Sequence, residues 1–593
     1  MSHHSSSKCH IHFWLISLIM TVMGDVVNIK SLKAEASSQK LSPAFKLTQN
    51  TPRQNQPPSN QPLPEATPVT PLPSPDELLQ PPKTNPEQTP PSDVPETITV
   101  ERFEVMGSTV FFPGDFAKVT EPYTQRPISL AELFQVRSLI TQLYLDHGYI
   151  TSGAYIPPQK LQGGTVKIQI VEGGLEGIKV RGTRRLNPNY IRSRLALVTG
   201  KPLKRDRLLR GLQLLQLNPL VANISAELAA GTEVGESVLE VTVREAKSFD
   251  VTLSADNGRS PSVGSFRRQL QVSQGNLFGL GDGLNVSYTN TDGSNAFDLS
   301  YSLPLNPRNG TLAVSYGTSS SNVIEQPFSV LDIQSESRYY ELTLRQPLMQ
   351  TPTQEFAVGI TATRRESEAS FLNGEIPFPA SGADKQGRTR ISALRFFQEW
   401  TQRNNREVLA GRSQFSIGLD ALNSTINNTA PDSRFYAWRG QGQWVRLLAP
   451  DTFILLRGDI QFSDRPLPPF EQFGIGGIES VRGYRQDALL TDNGIFASAE
   501  VRLPIARFSP GSNLLQLTPF IDFGTVWNRQ GRPNSAGELK NDTLLSVGLG
   551  LRWQLEDHLT ARLEWGIPLI DIGGERNSWQ DNGIYFSIVG HPF

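Results

Sequence analysis

Across residues 247–593 apolar and polar positions alternate in short segments. Leu545, Val547, Leu549, Leu551 and Trp553 alternate with Ser546, Gly548, Gly550, Arg552 and Gln554. Leu559, Ala561, Leu563 and Trp565 alternate with Thr560, Arg562 and Glu564; Ile495, Ala497, Ala499 and Val501 alternate with Phe496, Ser498, Glu500 and Arg502. Residues 284–288 and 339–345 repeat the pattern. A period of two sends neighbouring side chains to opposite faces, so each segment predicts a strand with one apolar face and one polar, often charged, face. Turns rich in Gly, Asn, Asp and Pro separate the strands. About sixteen such strands form an awkward soluble core but suit a closed transmembrane antiparallel β-barrel, with lipid outside and water inside.

Ahead of the barrel the period changes. Ile98, Val100, Phe103 and Val105 alternate, and Ser129 with Glu132 then forms a capping box that satisfies orphan backbone N–H groups at a helix start. Leu133, Val136, Ile140 and Leu143 recur on one helical face, and Gly148 is placed to end the helix. Strands are expected at 153–157 and 165–171. The order then repeats: a strand around Ile178 and Val180, helices at 188–197 and 203–217, and strands at 224–228 and 238–243. Two tandem α+β modules, β-α-α-β-β, are predicted at 97–173 and 174–246.

The first 96 residues fit neither pattern. Residues 13–23 form an apolar stretch behind Lys8, too short to span a membrane and of the length of a signal-peptide core. With the small-x-small site Ala34-Glu35-Ala36, they predict a signal peptide over 1–36; a short N-terminal anchor is the other reading. Residues 37–96 are predicted to be a periplasmic linker, extended or disordered, because 15 of the chain's 43 prolines fall between Pro52 and Pro95. Only residues 76–80 offer even a short helical turn.

The single cysteine, Cys9, lies in the signal segment, so a mature chain has no disulfide, thiolate nucleophile or Cys-based metal site. His147, His558 and His591 are too far apart in sequence for a metal-ligand spacing, and no cofactor or catalytic set is predicted. With 56 Lys+Arg against 57 Asp+Glu, nothing favours a nucleic-acid partner.

Four motifs narrow the class. Tyr149-Ile150-Thr151-Ser152-Gly153-Ala154-Tyr155-Ile156-Pro157-Pro158-Gln159 precedes Gly164-Thr165 and Val171-Glu172-Gly173. Gly476-Gly477-Ile478-Glu479-Ser480-Val481-Arg482-Gly483-Tyr484 lies in a long inter-strand loop, 463–491, and Phe520-Ile521-Asp522-Phe523-Gly524 lies on a later strand. Asn276-Leu277-Phe278-Gly279-Leu280-Gly281-Asp282 joins two early strands; no helix follows it, so a nucleotide loop lacks its required context. The chain ends on Phe593.

On these motifs, residues 97–593 resemble the TpsB transporters of two-partner secretion, the haemolysin secretion/activation family among POTRA-bearing outer-membrane barrels. The resemblance makes the two modules POTRA domains in the periplasm. It implies that loop 463–491 folds into the lumen, that Val481, Arg482, Gly483 and Tyr484 form its tip, and that Arg482 pairs with Asp522, flanked by Phe520 and Gly524. It marks Pro157, Pro158 and Gln159 as a POTRA motif and Phe593 as a membrane-insertion signal. Several members plug the lumen with an N-terminal helix, for which this proline-rich region is poorly suited.

The implied function is export of a secreted, TpsA-like β-helical partner. It adds a strand to a POTRA edge at Gly153, Ala154, Tyr155 and Ile156, then threads a lumen walled by Arg502, Arg552 and Glu564. Outer-membrane lipid surrounds the barrel, and periplasmic chaperones and the barrel-assembly machinery serve its biogenesis. A barrel-assembly factor and a passive porin remain as alternatives; the paired modules and Pro157-Pro158-Gln159 favour export.

Overall fold

The computed structural model describes residues 61–65, 73–80, 97–160, 163–372, 374–378, 380–509, 513–529, 542–556, 558–573 and 577–592. The signal peptide expected at 1–36, Phe593 and most of the 37–96 linker lie outside the described residues.

The first module pairs β2 (Ile98–Val100) with β4 (Arg126–Ile128), and sets β3 (Arg102–Met106), β6 (Thr165–Val171) and β5 (Gly153–Tyr155) side by side in that order. Helix α3 (Leu130–Asp146) covers them. Ser129 and Glu132 form the expected capping box, and Gly148, at φ +83°, takes the left-handed conformation that ends the helix. Val136, Ile140 and Tyr144 of α3 pack against Val166 and Ile168 of β6. A second helix, α2 (Pro113–Thr120), was not expected; Pro113 opens it and the Asp115 carboxylate accepts the Phe112 N–H at 3.2 Å. The strand expected at 153–157 stops at Tyr155, because Pro157 and Pro158 offer no N–H.

The second module contains β7 (Gly174–Arg181), α4 (Pro188–Ala196), α5 (Arg205–Gln216), β8 (Val221–Ala230) and β9 (Glu236–Glu245). Its elements follow the predicted order, with β8 and β9 two or three residues longer at each end. The Glu245 carboxylate gathers the backbone N–H groups of Arg184, Arg185 and Leu186 ahead of α4. Burial opposes ionisation there, yet those three donors hold its pKa below the ordinary carboxylate value.

The linker expectation needs correction. Residues 73–80 form one helical turn, α1 (Pro75–Leu78), followed by a two-residue strand, β1 (Leu79–Gln80), laid parallel to β8. Residues 61–65 lie inside the barrel: Arg502 grips the Glu65 carboxylate at 2.5 and 3.1 Å, Arg562 approaches it at 3.7 Å, and the Gln443 side chain donates to the Pro64 carbonyl. Proline leaves the carbonyl as the only backbone hydrogen-bonding group, and the wall supplies its donor.

The barrel is a closed antiparallel sheet of sixteen strands, sealed where Phe249–Asp256 pairs with Ile584–Gly590. Its burial is inverted relative to a soluble protein. Leu270, Tyr288, Val314, Leu342, Ile360, Phe415, Leu551 and Trp565 are exposed, whereas Gln269, Gln271, Ser287, Thr361, Gln414, Arg552 and Glu564 are buried. An apolar exterior around a polar interior is the arrangement that a hydrocarbon solvent stabilises. Among the described residues no helix is long and apolar enough to cross a membrane.

Asn276 to Asp282 turn the chain at the rim that faces the second module. Gly281 N–H donates to the Asn276 side chain, and the Asp282 carboxylate accepts from Phe278 N–H and the Tyr301 hydroxyl. The Gly279 carbonyl then accepts the N–H of Asn187, the N-cap of α4, at 2.9 Å. The same turn therefore docks the second module on the barrel.

Candidate functional site

Strands Asn493–Ser509, Asn513–Trp527, Thr543–Leu555 and Leu559–Pro568 form consecutive staves of the wall. Register sets Ser498 opposite Asp522, Glu500 opposite Phe520 and Asp522 opposite Ser546. The period of two turns Ser498, Glu500, Arg502, Asp522 and Glu564 into the lumen, where all are buried.

The loop before these strands folds into the bore. Phe473–Ile475 and Leu489–Thr491 pair as a short hairpin base. Phe473, Ile475, Val481, Tyr484 and Leu489 cluster with Phe496, Val526 and Leu544 of the wall. This apolar contact inside a largely polar lumen gives the loop a packed seat. At its base, Glu471 binds Arg395 at 2.8 Å.

Arg482 sits at the tip. Its Nε and Nη2 donate to the two Asp522 oxygens at 2.8 and 3.0 Å, a bidentate fork, and its backbone N–H adds a third bond at 3.1 Å. Nη1 donates to Glu500 at 2.7 Å and to Glu564 at 3.3 Å. The guanidinium carbon lies 3.5 Å from the centre of the Phe520 ring. One cation thus faces three carboxylates on three different strands. Arg502, donating to Glu500 at 2.9 Å, and Ser498, donating to Asp522 at 2.6 Å, complete the cluster.

The neighbours of Arg482 seat it. Gly483 has φ +99°, and its N–H donates to the Tyr585 hydroxyl at 3.0 Å; that hydroxyl donates to the Tyr484 carbonyl. The Tyr484 hydroxyl lies between the backbones of Leu545 and Ile570, 2.8 and 2.9 Å from their carbonyl oxygens. Gly524 leaves room for Val481 and Ile475. Sequence reasoning missed Gly566, where an added Cβ would fall 2.5 Å from the Gly483 nitrogen, and it missed Glu500 and Glu564 as partners of Arg482. Alternation marked both glutamates as inward-facing, but only the strand register brings them to one point.

The other predicted residues lie elsewhere. Gly153, Ala154 and Tyr155 form β5, an outer strand of the first module, with Ile156 just beyond. Its outward Ala154 N–H already donates to the Thr141 hydroxyl at 3.0 Å. Gln159 lies against β6: its side chain donates to the Lys167 carbonyl at 2.7 Å and accepts the Lys167 N–H at 2.8 Å. A side-chain amide continues the ladder that Pro157 and Pro158 interrupt.

An inside-out barrel with an inward hairpin locked by one guanidinium, preceded by α+β modules, defines a membrane-spanning barrel of the POTRA-bearing type. Residues 235–553 match the haemolysin secretion/activation protein ShlB/FhaC/HecB family, and residues 98–173 match the ShlB-type POTRA domain. The chain belongs to this family. It is 23% identical over 491 residues to the heme/hemopexin transporter protein HuxB of Haemophilus influenzae (strain 86-028NP), covering 78% of this chain and 83% of that protein. It is 24% identical over 466 residues to the hemolysin transporter protein ShlB of Serratia marcescens, covering 76% and 79%. The solved structure of CdiB from Escherichia coli matches with a TM-score of 0.61 at 20% identity, over 86% of this chain and 93% of that one. BamA from Haemophilus ducreyi lacking POTRA domains 1-3 matches at 0.51 and 15%, over 84% and 100%. These two likenesses show the fold. Members of the family are transporters, seated in the outer membrane with the POTRA region in the periplasm.

Proposed function

We propose that this chain exports one secreted partner protein through its barrel, as a two-partner secretion translocase. The observation that carries the reading is the hairpin: a packed loop whose Arg482 closes on Asp522, Glu500 and Glu564 gives the lumen a defined internal surface. A polar wall offers an unfolded chain water and hydrogen-bonding groups rather than apolar surface to stick to. Folding of the partner outside, into a β-helix, biases its motion outward.

On this reading residues 1–36 are the signal peptide, 37–96 the linker, 97–173 and 174–246 the two POTRA domains, and 247–593 the barrel. Periplasmic chaperones and the barrel-assembly machinery place it in the membrane. The partner meets a POTRA edge by strand addition, in which backbone groups give affinity without a fixed sequence. Val481, Arg482, Gly483 and Tyr484 act with Phe520, Asp522 and Gly524 to hold the loop.

Deletion of the gene tests this. Loss of one large secreted protein from the surface, with the other outer-membrane barrels at normal levels, is expected. A broad fall in those barrels identifies an assembly factor instead.

A further inference from the structure

Two neighbouring turns of the barrel rim hold the second module. Residues 276–282 join Arg267–Gly275 to Gly283–Asn290, and residues 305–310 join Ser294–Pro304 to Thr311–Asn322. Tyr190 of α4 packs on Gly281, where a Cβ would fall 2.2 Å from its ring, and its hydroxyl accepts from the Asn218 side chain at 2.9 Å. The Arg194 guanidinium carbon lies 3.4 Å from the centre of that ring, and its Nε donates to the Asn309 side chain at 2.9 Å. With the bond from Asn187 to Gly279, both turns grip one helix.

The membrane side of the same turns is apolar. Tyr288 and Phe297 stand opposite each other and are both exposed, on the lipid-facing wall. A period of two puts Tyr301 on that face, with Leu305 just past the strand end. Phe278 meets Tyr301 edge to ring, 6.2 Å between centres. Phe278 is 69% exposed, Leu280 49% and Leu305 50%. These side chains carry the apolar wall out to the rim, where hydrocarbon gives way to headgroups.

Cations stand beside them. Arg184 and Arg185 lead into α4, and Arg185 Nη2 lies 3.5 Å from the Leu277 carbonyl, next to Phe278. Arg308 sits in the second turn, beside the Asn309 that binds Arg194. All three arginines are exposed, and among the described residues none forms an ion pair. The Glu245 carboxylate close to Arg184 accepts instead from the backbone N–H groups of residues 184–186.

We propose that this edge binds an anionic phospholipid of the periplasmic leaflet. The headgroup phosphate accepts from Arg184, Arg185 and Arg308, and the acyl chains run along Phe278, Leu280 and Leu305. A guanidinium's planar fork matches two phosphate oxygens. Apolar and basic signals together hold a surface at a membrane where either alone is weak. The lipid braces the second module against the bilayer, as Tyr190 and Arg194 brace it against the barrel. This seat does not depend on what the barrel carries.

The test uses the full-length protein in phosphatidylcholine nanodiscs made with and without phosphatidylglycerol. Native mass spectrometry reads the affinity for each lipid, hydrogen exchange reads residues 184–192, and heat-modifiable gel mobility confirms a closed barrel. Each basic residue beside an anionic surface strengthens attachment roughly fivefold. Salt and the nearby Glu245 offset part of this, so Arg184→Gln/Arg185→Gln/Arg308→Gln should weaken phosphatidylglycerol binding at least about tenfold. Phosphatidylglycerol should slow exchange at 184–192 in the parent and leave it unchanged in the variant. Arg207→Gln/Arg210→Gln serves as control, because α5 starts against the first module, its Arg205 N–H donating to the Gly148 carbonyl at 2.8 Å; it should bind like the parent. Equal loss in this control reduces the effect to overall charge and overturns the site. So does a folded triple variant that keeps its phosphatidylglycerol, or a parent that holds phosphatidylcholine as firmly. Protection at 184–192 by inorganic phosphate alone, in phosphatidylcholine nanodiscs, would replace the lipid with a free anion and equally refute the proposal.

Discussion

Replacing Arg482 with alanine removes the one group shared by three carboxylates. Arg482 is 1% exposed and Asp522 0%, so water does not reach the pair directly. Arg502 stays on Glu500 and Ser498 stays on Asp522, but Asp522 loses its bidentate partner and Glu564 loses its contact with the tip. Breaking a buried ion pair from one side costs about 3–5 kcal/mol, because the remaining charge is buried alone. Water entering the lumen relieves part of this, which puts the effect near the lower figure. A loss of about 3 kcal/mol in local opening corresponds to roughly a hundredfold faster amide exchange across the hairpin. The assay is hydrogen exchange on purified protein in detergent, with heat-modifiable gel mobility to confirm that the barrel is closed. Asp522→Asn should cost less, since Arg482 keeps Glu500 and Glu564. The double variant Arg482→Ala/Asp522→Ala should cost less than the sum of the single changes. Unchanged exchange at Phe473–Ile475 and Leu489–Thr491 in a folded Arg482→Ala barrel refutes the clamp.

Gly566→Ala drives a methyl group into the Gly483 backbone, which has no flexible end to yield; a cost of about 1–3 kcal/mol and a faster-exchanging hairpin are expected. Gln159→Ala removes both bonds to Lys167, and exchange at the Lys167 amide should rise by an amount equivalent to about 1–2 kcal/mol. Glu65→Ala frees residues 61–65 from Arg502 and should raise single-channel conductance in planar bilayers; an unchanged trace contradicts the lumen contact. Glu172 is partly buried, which opposes ionisation, but donors from Thr109, Tyr144 and Val110 hold its pKa below the ordinary value. A lowered folded-state value means stability that is present above the unfolded carboxylate value, about 4.3, and lost as pH falls through the folded one. Glu172→Gln should therefore loosen the first module at pH 7, and thermal melts of parent and variant should converge as pH falls through the lowered folded-state value.

The barrel was legible because a lipid-facing strand must alternate, and Leu545 to Gln554 does so without interruption. The capping box at Ser129 and Glu132 and the strand Thr165–Val171 were legible for the same reason: local chemistry decides them. Helix α2 was not, because eight residues carry too little periodicity and its cap comes from Asp115, inside the helix, rather than from an N-cap side chain. The linker misled through composition. Prolines exclude ladders, but Leu78 and Leu79 bury in a slot built by residues more than a hundred positions later. Arg482 could be tied to Asp522 only through a resemblance. Its contacts with Glu500 and Glu564, and the space at Gly566, depend on strand register, which no single segment encodes.

Passage of a secreted partner through the hydrated bore of this barrel is directly open to measurement. A photo-crosslinking residue placed at Gln271, on the lumen wall, or at neighbouring Leu270, on the lipid face, tests it during export of a partner stalled by a folded tag. Crosslinks to the stalled partner are expected from Gln271 and none from Leu270. A partner that reaches the surface while crosslinking from neither position, or only from Leu270, contradicts it.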